Sequence, residues 1–188
     1  MPEIANVNGK TTLVHEAMIP AEDRGFLFGD GVYEVFRSYR GRLWGFDRHL
    51  KRLKRSLREI EITDIDLEHT SRQIRETYAE SQIQDATVYV QITRGAGPRS
   101  HAWIATGLKP TFFMTVRHFQ ARAGGNERGI RAIWVRDLRW GRCDIKSLNL
   151  LPNVMAKQKA RKEGAYEAIF VNSHDQVLEG TSSSAFSI

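Results

Sequence analysis

Three short stretches of the 188-residue sequence carry side chains that could do chemistry together. The first is Lys146, in CDIKSLNLLPNVMAKQKA, between a strand-like and a helix-like segment. A lysine amine is a poor nucleophile at its free pKa of ~10.4, and burial or a nearby cation frees its lone pair. Asp144, Ser147 and Asn149 surround it with polar groups, and Ile145, Leu148, Leu150 and Leu151 supply apolar walls. The second is Arg99-Ser100-His101, on a loop stiffened by Pro98. A guanidinium and an imidazole two residues apart converge on one carboxylate when such a loop is extended. The third is Glu179-Gly180-Thr181-Ser182-Ser183-Ser184: a buried acid, then a glycine and four hydroxyls, which suits a flat polar ligand. Each stretch also has a plain reading: a solvated surface lysine, an exposed polar loop and an ordinary turn.

Other signals are missing. The sequence has no GxxxxGK(S/T) phosphate loop, no GxGxxG, no CxxC and no HExxH, and its six histidines are scattered without metal-ligand spacing. The glycines of GFLFGDG (25–31) read as a tight turn.

The elements that must position these residues can be read from periodicity. Thr11–Ile19 alternates like a strand, and Gly31–Phe46 reads as two strands joined at Arg40-Gly41. Phe46, Leu50, Leu53, Leu57 and Ile60 recur at steps of four and three, the stripe of an amphipathic helix, with Asp47 placed to cap it. That geometry turns Lys51, Arg55 and Arg58 to water and lets Arg52 reach the interior. A second helix is predicted over Leu67–Ser81, capped by Asp66, with Ile74 and Tyr78 inward. Strands are predicted at Ala86–Gly95, Thr111–Phe119, Ile130–Val135, Ala165–Val171 and Ser184–Ile188. A helix over Pro152–Glu163 is expected to end at Gly164. The polar, glycine-rich 121–129 is the candidate linker, which gives an N-terminal domain of 1–120 and a second domain from 130 to 188. The second has about 60 residues and one helix, thin for an independent core, so the chain is expected to be incomplete.

Composition excludes several classes. Hydrophobic residues are 41% and charged residues 27%, as in a soluble globular protein. One cysteine, Cys143, allows no internal disulfide, and no apolar run spans a bilayer; a cytoplasmic protein without membrane contact is expected. Of the net charge of +6, much sits between Arg37 and Arg58, where nine basic residues face a single acid, Asp47. A nucleic-acid module would use such a cluster and would bind with steep salt dependence. A solvated helix face with one or two anion-binding arginines is the preferred reading, and it leaves Lys146 and Glu179 with a purpose.

Taken in order, the segments DRGFLFGDGVYEVFRSYRGRLWGFDRHLKRL, DIKSLNLLPNVMAKQKARKEGAYEAIFV and LEGTSSSAF resemble the fold-type IV pyridoxal-phosphate enzymes. That family includes D-amino-acid and branched-chain aminotransferases and aminodeoxychorismate lyase. The resemblance implies an α/β (α+β type) fold of two domains: a small N-terminal one and a larger C-terminal one, here cut short. It also implies pyridoxal 5'-phosphate held by Lys146 as a Schiff base, with Glu179 at the pyridine nitrogen, Arg52 at the phosphate and Ser182 touching cofactor or substrate. Tyr33, Arg99 and His101 would trap the substrate carboxylate, the last two reaching in from the partner subunit of a homodimer. TRGAGPRSH is similar to the D-amino-acid branch, which implies D-alanine plus 2-oxoglutarate giving pyruvate plus D-glutamate. Branched-chain L-amino-acid transamination is the alternative, then aminodeoxychorismate lyase.

Overall fold

The computed structural model describes residues 1–103, 107–119 and 129–186. They fall into two compact units, Met1–Gln120 with Asp144–Leu148, and 121–143 with 149–188. Most of the expected linker, 121–128, lies outside the described residues.

The first unit is built on a six-stranded antiparallel sheet of order β2-β1-β6-β5-β3-β4. Its strands are β1 (Ile4–Val7), β2 (Lys10–Leu13), β3 (Gly31–Tyr39), β4 (Arg42–Leu43), β5 (Ala86–Thr93) and β6 (Thr111–His118). Strict alternation along β3 sends Val32, Glu34, Phe36 and Ser38 into the core and leaves Tyr33, Val35 and Arg37 on the other face. The core face is covered by α2 (Phe46–Glu59) and α3 (Leu67–Ser81). Leu53, Leu57 and Ile74 pack there against Phe36, Val88, Val90, Met114 and Val116.

The predicted stripe of α2 is the face that packs, with Leu50 and Ile60 at its margins. Its cap is different from the expectation. Gly45, at φ +63°, occupies the N-cap, and Asp47 lies inside the first turn. There the carboxylate still faces the positive end of the helix dipole. In α3 the bounds and the cap are as predicted: the Asp66 side chain accepts from the amides of Glu68 and His69.

The expected strand at Thr11–Ile19 ends at Leu13 and passes into a 3-10 turn at Val14–Glu16. The predicted tight turn around residues 25–31 is a five-residue helix, α1 (Arg24–Phe28), capped by Asp23 and closed by Gly29 at φ +69°.

β4 reaches only Ser38 and Tyr39 of β3, so the start of β3 has an open edge. The segment Asp144–Leu148, inside the range expected for the second domain, pairs with that edge. The Tyr33 amide donates to the Lys146 carbonyl (3.0 Å) and the Leu148 amide to the Gly31 carbonyl (3.1 Å). Ile145 and Ser147 are buried and Lys146 half-buried, the period-two alternation of a strand. Gly31 is required here. A Cβ on it would lie 2.7 Å from the Ile92 carbonyl oxygen and 2.9 Å from Leu148 Cδ1.

The second unit has a three-stranded sheet, β7 (Ala132–Arg136), β8 (Glu167–Val171) and β9 (Val177–Gly180), in the order β7-β8-β9. β7 and β8 are parallel and are joined through α4 (Leu151–Lys162); β9 returns antiparallel. Pro152 sits in the first turn of α4, where its missing amide costs nothing. Buried apolar side chains here are small, Ala160, Ala165 and Ala168, apart from Phe170. The predicted strand at Ser184–Ile188 is not formed over 184–186, which have no regular structure; 187–188 lie outside the described residues. β9 was not expected, because Val-Leu-Glu-Gly is short and lacks alternation.

Candidate active site

In the first unit, alternation on two neighbouring strands sets the geometry. Lys146 projects from the edge segment onto the face that carries Tyr33, and its Nζ lies 4.1 Å from the Tyr33 ring centroid. A cation over an aromatic face is attracted without losing its amine to a carboxylate. Among the described residues Nζ makes no hydrogen bond or ion pair. Tyr33 is braced from beneath by Tyr89, stacked at 5.6 Å. Burial, with Tyr33 beside it, pushes the Tyr89 phenol up to about 12, so it stays neutral and donates to Gln91 Oε1 at 2.8 Å.

Glu34, the next residue of β3, is fully buried on the helix-covered face, where a lone carboxylate would be costly. Arg52 answers it with two bonds, Nε to Oε1 at 2.5 Å and Nη2 to Oε2 at 2.7 Å, and His49 Nδ1 approaches Oε2 at 2.8 Å. The carboxylate raises the Arg52 guanidinium above its ordinary value, against the opposing effect of burial. The Arg52 side chain is 46% exposed, and among the described residues its Nη1 makes no hydrogen bond. One turn on, Ser56 Oγ accepts the Lys146 amide at 3.3 Å. Arg55 donates to the Asp144 carbonyl and pairs with its carboxylate at 3.9 Å. Thus the start of β3 carries Tyr33 and Lys146 on one face, and the Glu34–Arg52 pair on the helix-covered face opposite.

Four of the nine basic residues of the cluster have an acidic partner nearby. Arg37, Arg52, Arg55 and Arg58 are each ion-paired within the unit.

Arg99 and His101 are brought together around Phe28. The Arg99 guanidinium lies 5.6 Å from that ring, and the His101 ring lies 5.5 Å from it, edge-on. Both side chains are exposed.

In the second unit, Glu179 is not the buried acid that the sequence suggested. Its side chain is 45% exposed because β9 is an edge strand. Arg139 donates to it, and is itself gripped by Asp137 through Nε (2.9 Å) and Nη2 (2.9 Å). Asp137 and Glu179 hold the Arg139 guanidinium above its usual range. Asp137, Arg139, Trp140, Cys143, Leu178 and Glu179 line an open groove of about 580 Å³.

The buried acid is Glu167, 1% exposed. Thr181 donates to it, as do Ser182 (3.2 Å), Ser183 (3.0 Å) and the Ala168 amide (3.0 Å), and Lys157 Nζ lies 3.1 Å away. Most of the predicted run of hydroxyls therefore faces an internal carboxylate.

Sequence reasoning missed Glu34, Arg139 and Glu167. Glu34 was detectable, since an acid at an inward position of an alternating strand needs a partner. The other two depend on contacts that no local pattern announces.

The family model for amino-transferase class IV matches residues 31–188, and the chain belongs to that family. It is 43% identical over 183 residues to a D-alanine aminotransferase of Bacillus licheniformis, covering 95% of this chain and 63% of that protein. It is 40% identical over 186 residues to the D-alanine aminotransferase of Staphylococcus haemolyticus, covering 97% and 64%. A solved hypothetical aminotransferase from Mycobacterium tuberculosis, in its PLP-bound form, superposes with a TM-score of 0.80 at 24% identity, covering 95% of this chain and 65% of that one. That likeness is one of fold, and the fold is the mixed α/β type of the fold-type IV proteins. The chain thus spans about two-thirds or slightly less of the length of these proteins. Among the described residues no helix is long and apolar enough to cross a membrane.

Proposed function

We propose that this chain carries the lysine, arginine and carboxylate set of a pyridoxal-phosphate-dependent transaminase acting on D-amino acids, D-alanine plus 2-oxoglutarate giving pyruvate plus D-glutamate. The observation that carries the reading is Lys146, half-buried over Tyr33 with its amine unpaired among the described residues. The residues present fit the cofactor by their chemistry. Lys146 offers the amine that would hold its aldehyde carbon. Arg52 offers a half-exposed guanidinium with Nη1 open to a phosphate oxygen. Glu179, on the wall of a groove, would face the pyridine nitrogen and keep it protonated; Ser182, which here donates to Glu167, would turn its hydroxyl to cofactor or substrate. When bound, the cofactor supplies an electron sink for negative charge developing at the substrate α-carbon.

The chain's own residues do the rest. Lys146 moves the proton at the substrate α-carbon, and Tyr33 beneath its ammonium limits the directions it can take. Arg139 orients Glu179, and Glu34 with His49 orients Arg52. Tyr33, Arg99 and His101 bind the substrate carboxylate, Arg99 and His101 acting across a homodimer. A single base removes only a proton that points at it, so the placing of the carboxylate trap selects the enantiomer. We assign residues 1–120 to an N-terminal domain, 121–129 to a linker and 130–188 to the start of the cofactor-binding domain, in a cytoplasmic enzyme.

The test is an absorption spectrum of the protein with pyridoxal phosphate, before and after D-alanine and then L-alanine. The bound-cofactor band should form in wild type, be lost in Lys146→Ala and bleach with D-alanine alone. Bleaching by L-amino acids instead would favour the branched-chain reading. Arg99→Ala should raise KM for every D-amino acid by about tenfold or more; unchanged kinetics would remove Arg99 from the site.

A further inference from the structure

Arg24 plays no part in the chemistry above, yet its side chain is 4% exposed. A buried guanidinium must place all of its donors well, and each of the Arg24 nitrogens has a partner. Nε donates to Asp30 Oδ2 at 2.8 Å. Nη1 donates to the Ser100 carbonyl at 2.6 Å, and Nη2 to the His101 carbonyl at 3.1 Å. Asp30 is gripped from its other side by Arg94, through Nε at 2.8 Å and Nη2 at 3.0 Å. Arg94 in turn donates to the Ile60 and Glu61 carbonyls beyond α2.

The loop is fixed to α1 at further points. The Arg24 amide donates to the Gly95 carbonyl (2.9 Å), and the Gly97 amide to the Glu22 carbonyl (3.1 Å). Gly95, at φ +98°, leaves no room for a side chain against the Lys109 carbonyl. The Phe28 ring then lies between cations: Arg24 at 4.8 Å and Arg99 at 5.6 Å, with His101 edge-on. All of these contacts lie within the first unit.

We propose that Arg24 is a positioning residue: its guanidinium, held by Asp30, fixes the backbone at Ser100 and His101 so that the Arg99 and His101 side chains are presented together to a substrate carboxylate. This rests on the reading of Arg99 and His101 as the carboxylate trap. Lysine cannot replace Arg24, because one ammonium cannot reach a carboxylate and two successive carbonyls in three fixed directions.

The experiment compares wild type, Arg24→Lys and Arg99→Ala, loaded with cofactor. D-lactate serves as an unreactive probe, having the carboxylate but no amine. Arg24→Lys should weaken D-lactate binding and raise KM for D-alanine about tenfold, with kcat changed less than about threefold. Hydrogen exchange of the amides in 99–103 should quicken in Arg24→Lys and stay unchanged in β5. If Arg99→Ala weakens D-lactate binding and Arg24→Lys does not, the positioning role is overturned and the trap stands. If Arg99→Ala leaves D-lactate binding unchanged, the trap itself is overturned, and the positioning role falls with it. Should Arg24→Lys fail to fold, wild type still decides. Rapid exchange of the Gly97 and Ser100 amides, bonded here to Glu22 and Pro98, would show a loop that nothing holds.

Discussion

Glu167 is the residue whose surroundings say most about stability. Burial would raise its carboxyl, but the Thr181 hydroxyl, the Lys157 ammonium, the Ala168 amide and the Ser183 hydroxyl together bring it down to about 2 from an ordinary 4.5. A group whose folded pKa is depressed adds stability that is fully present above its unfolded value. That stability is lost as pH falls through the folded value. The window is therefore pH 4.5 down to about 2, and the effect is on the order of 3 kcal/mol. Glu167→Gln should destabilise the protein by roughly that amount at pH 7, and the gap to wild type should close across the window. Urea unfolding at stepped pH measures both. A constant gap from pH 7 to 2 would mean that the carboxylate charge contributes nothing. Asp30 behaves in the same sense: burial raises it, and Arg94 and Arg24 overcome that to hold it below its ordinary value.

At the scale of elements, the edge of β3 decides where Lys146 lies. Pairing fixes the register, and a register slip of one residue would turn Lys146 to the opposite face. Gly31 sets that register by admitting Leu148 and the β5 backbone at close range. Gly31→Ala should cost about 2 kcal/mol in urea unfolding, because backbone atoms of β5 cannot yield as a flexible side chain would. It should also weaken cofactor loading by displacing 144–148. Unchanged stability would mean that β5 and Leu148 have more freedom than their spacing implies.

The elements also show what a sequence can reveal. The span of α3 was legible because a cap residue and an apolar period agree at Asp66, Ile74 and Tyr78. The start of α2 was misread, since Asp47 looks like a cap and only the backbone at Gly45 shows otherwise. Lys146, Tyr33 and Arg52 could be named from motif order, but the grouping of the first two needed the open edge left by a two-residue β4. Arg24 escaped notice because its partners lie 76 and 77 positions away and obey no period. Glu179 was expected to be buried, and an edge strand exposes it instead.

For the whole molecule, the two units differ in how much they bury. The first encloses large side chains such as Phe36, Leu53, Ile74 and Met114, and the second mainly alanines with Phe170. Residues 144–148 belong by their contacts to the first unit, although the chain on both sides of them belongs to the second. The Tyr33 and Leu148 amides should therefore exchange hydrogen together with β5 and more slowly than the amides of β7. Exchange of Leu148 in step with β7 would show that the edge segment opens with its sequence neighbours.

That return of the chain has a consequence for synthesis on the ribosome. β3 is complete at residue 39 and finds β5 by residue 93, but its other edge waits for residue 148. At typical translation rates the wait lasts on the order of ten seconds. During it the nascent chain displays an unpaired strand edge, the kind of surface that recruits a neighbouring chain. The segment that carries Lys146 and closes the edge is then also the last piece of the first unit to arrive.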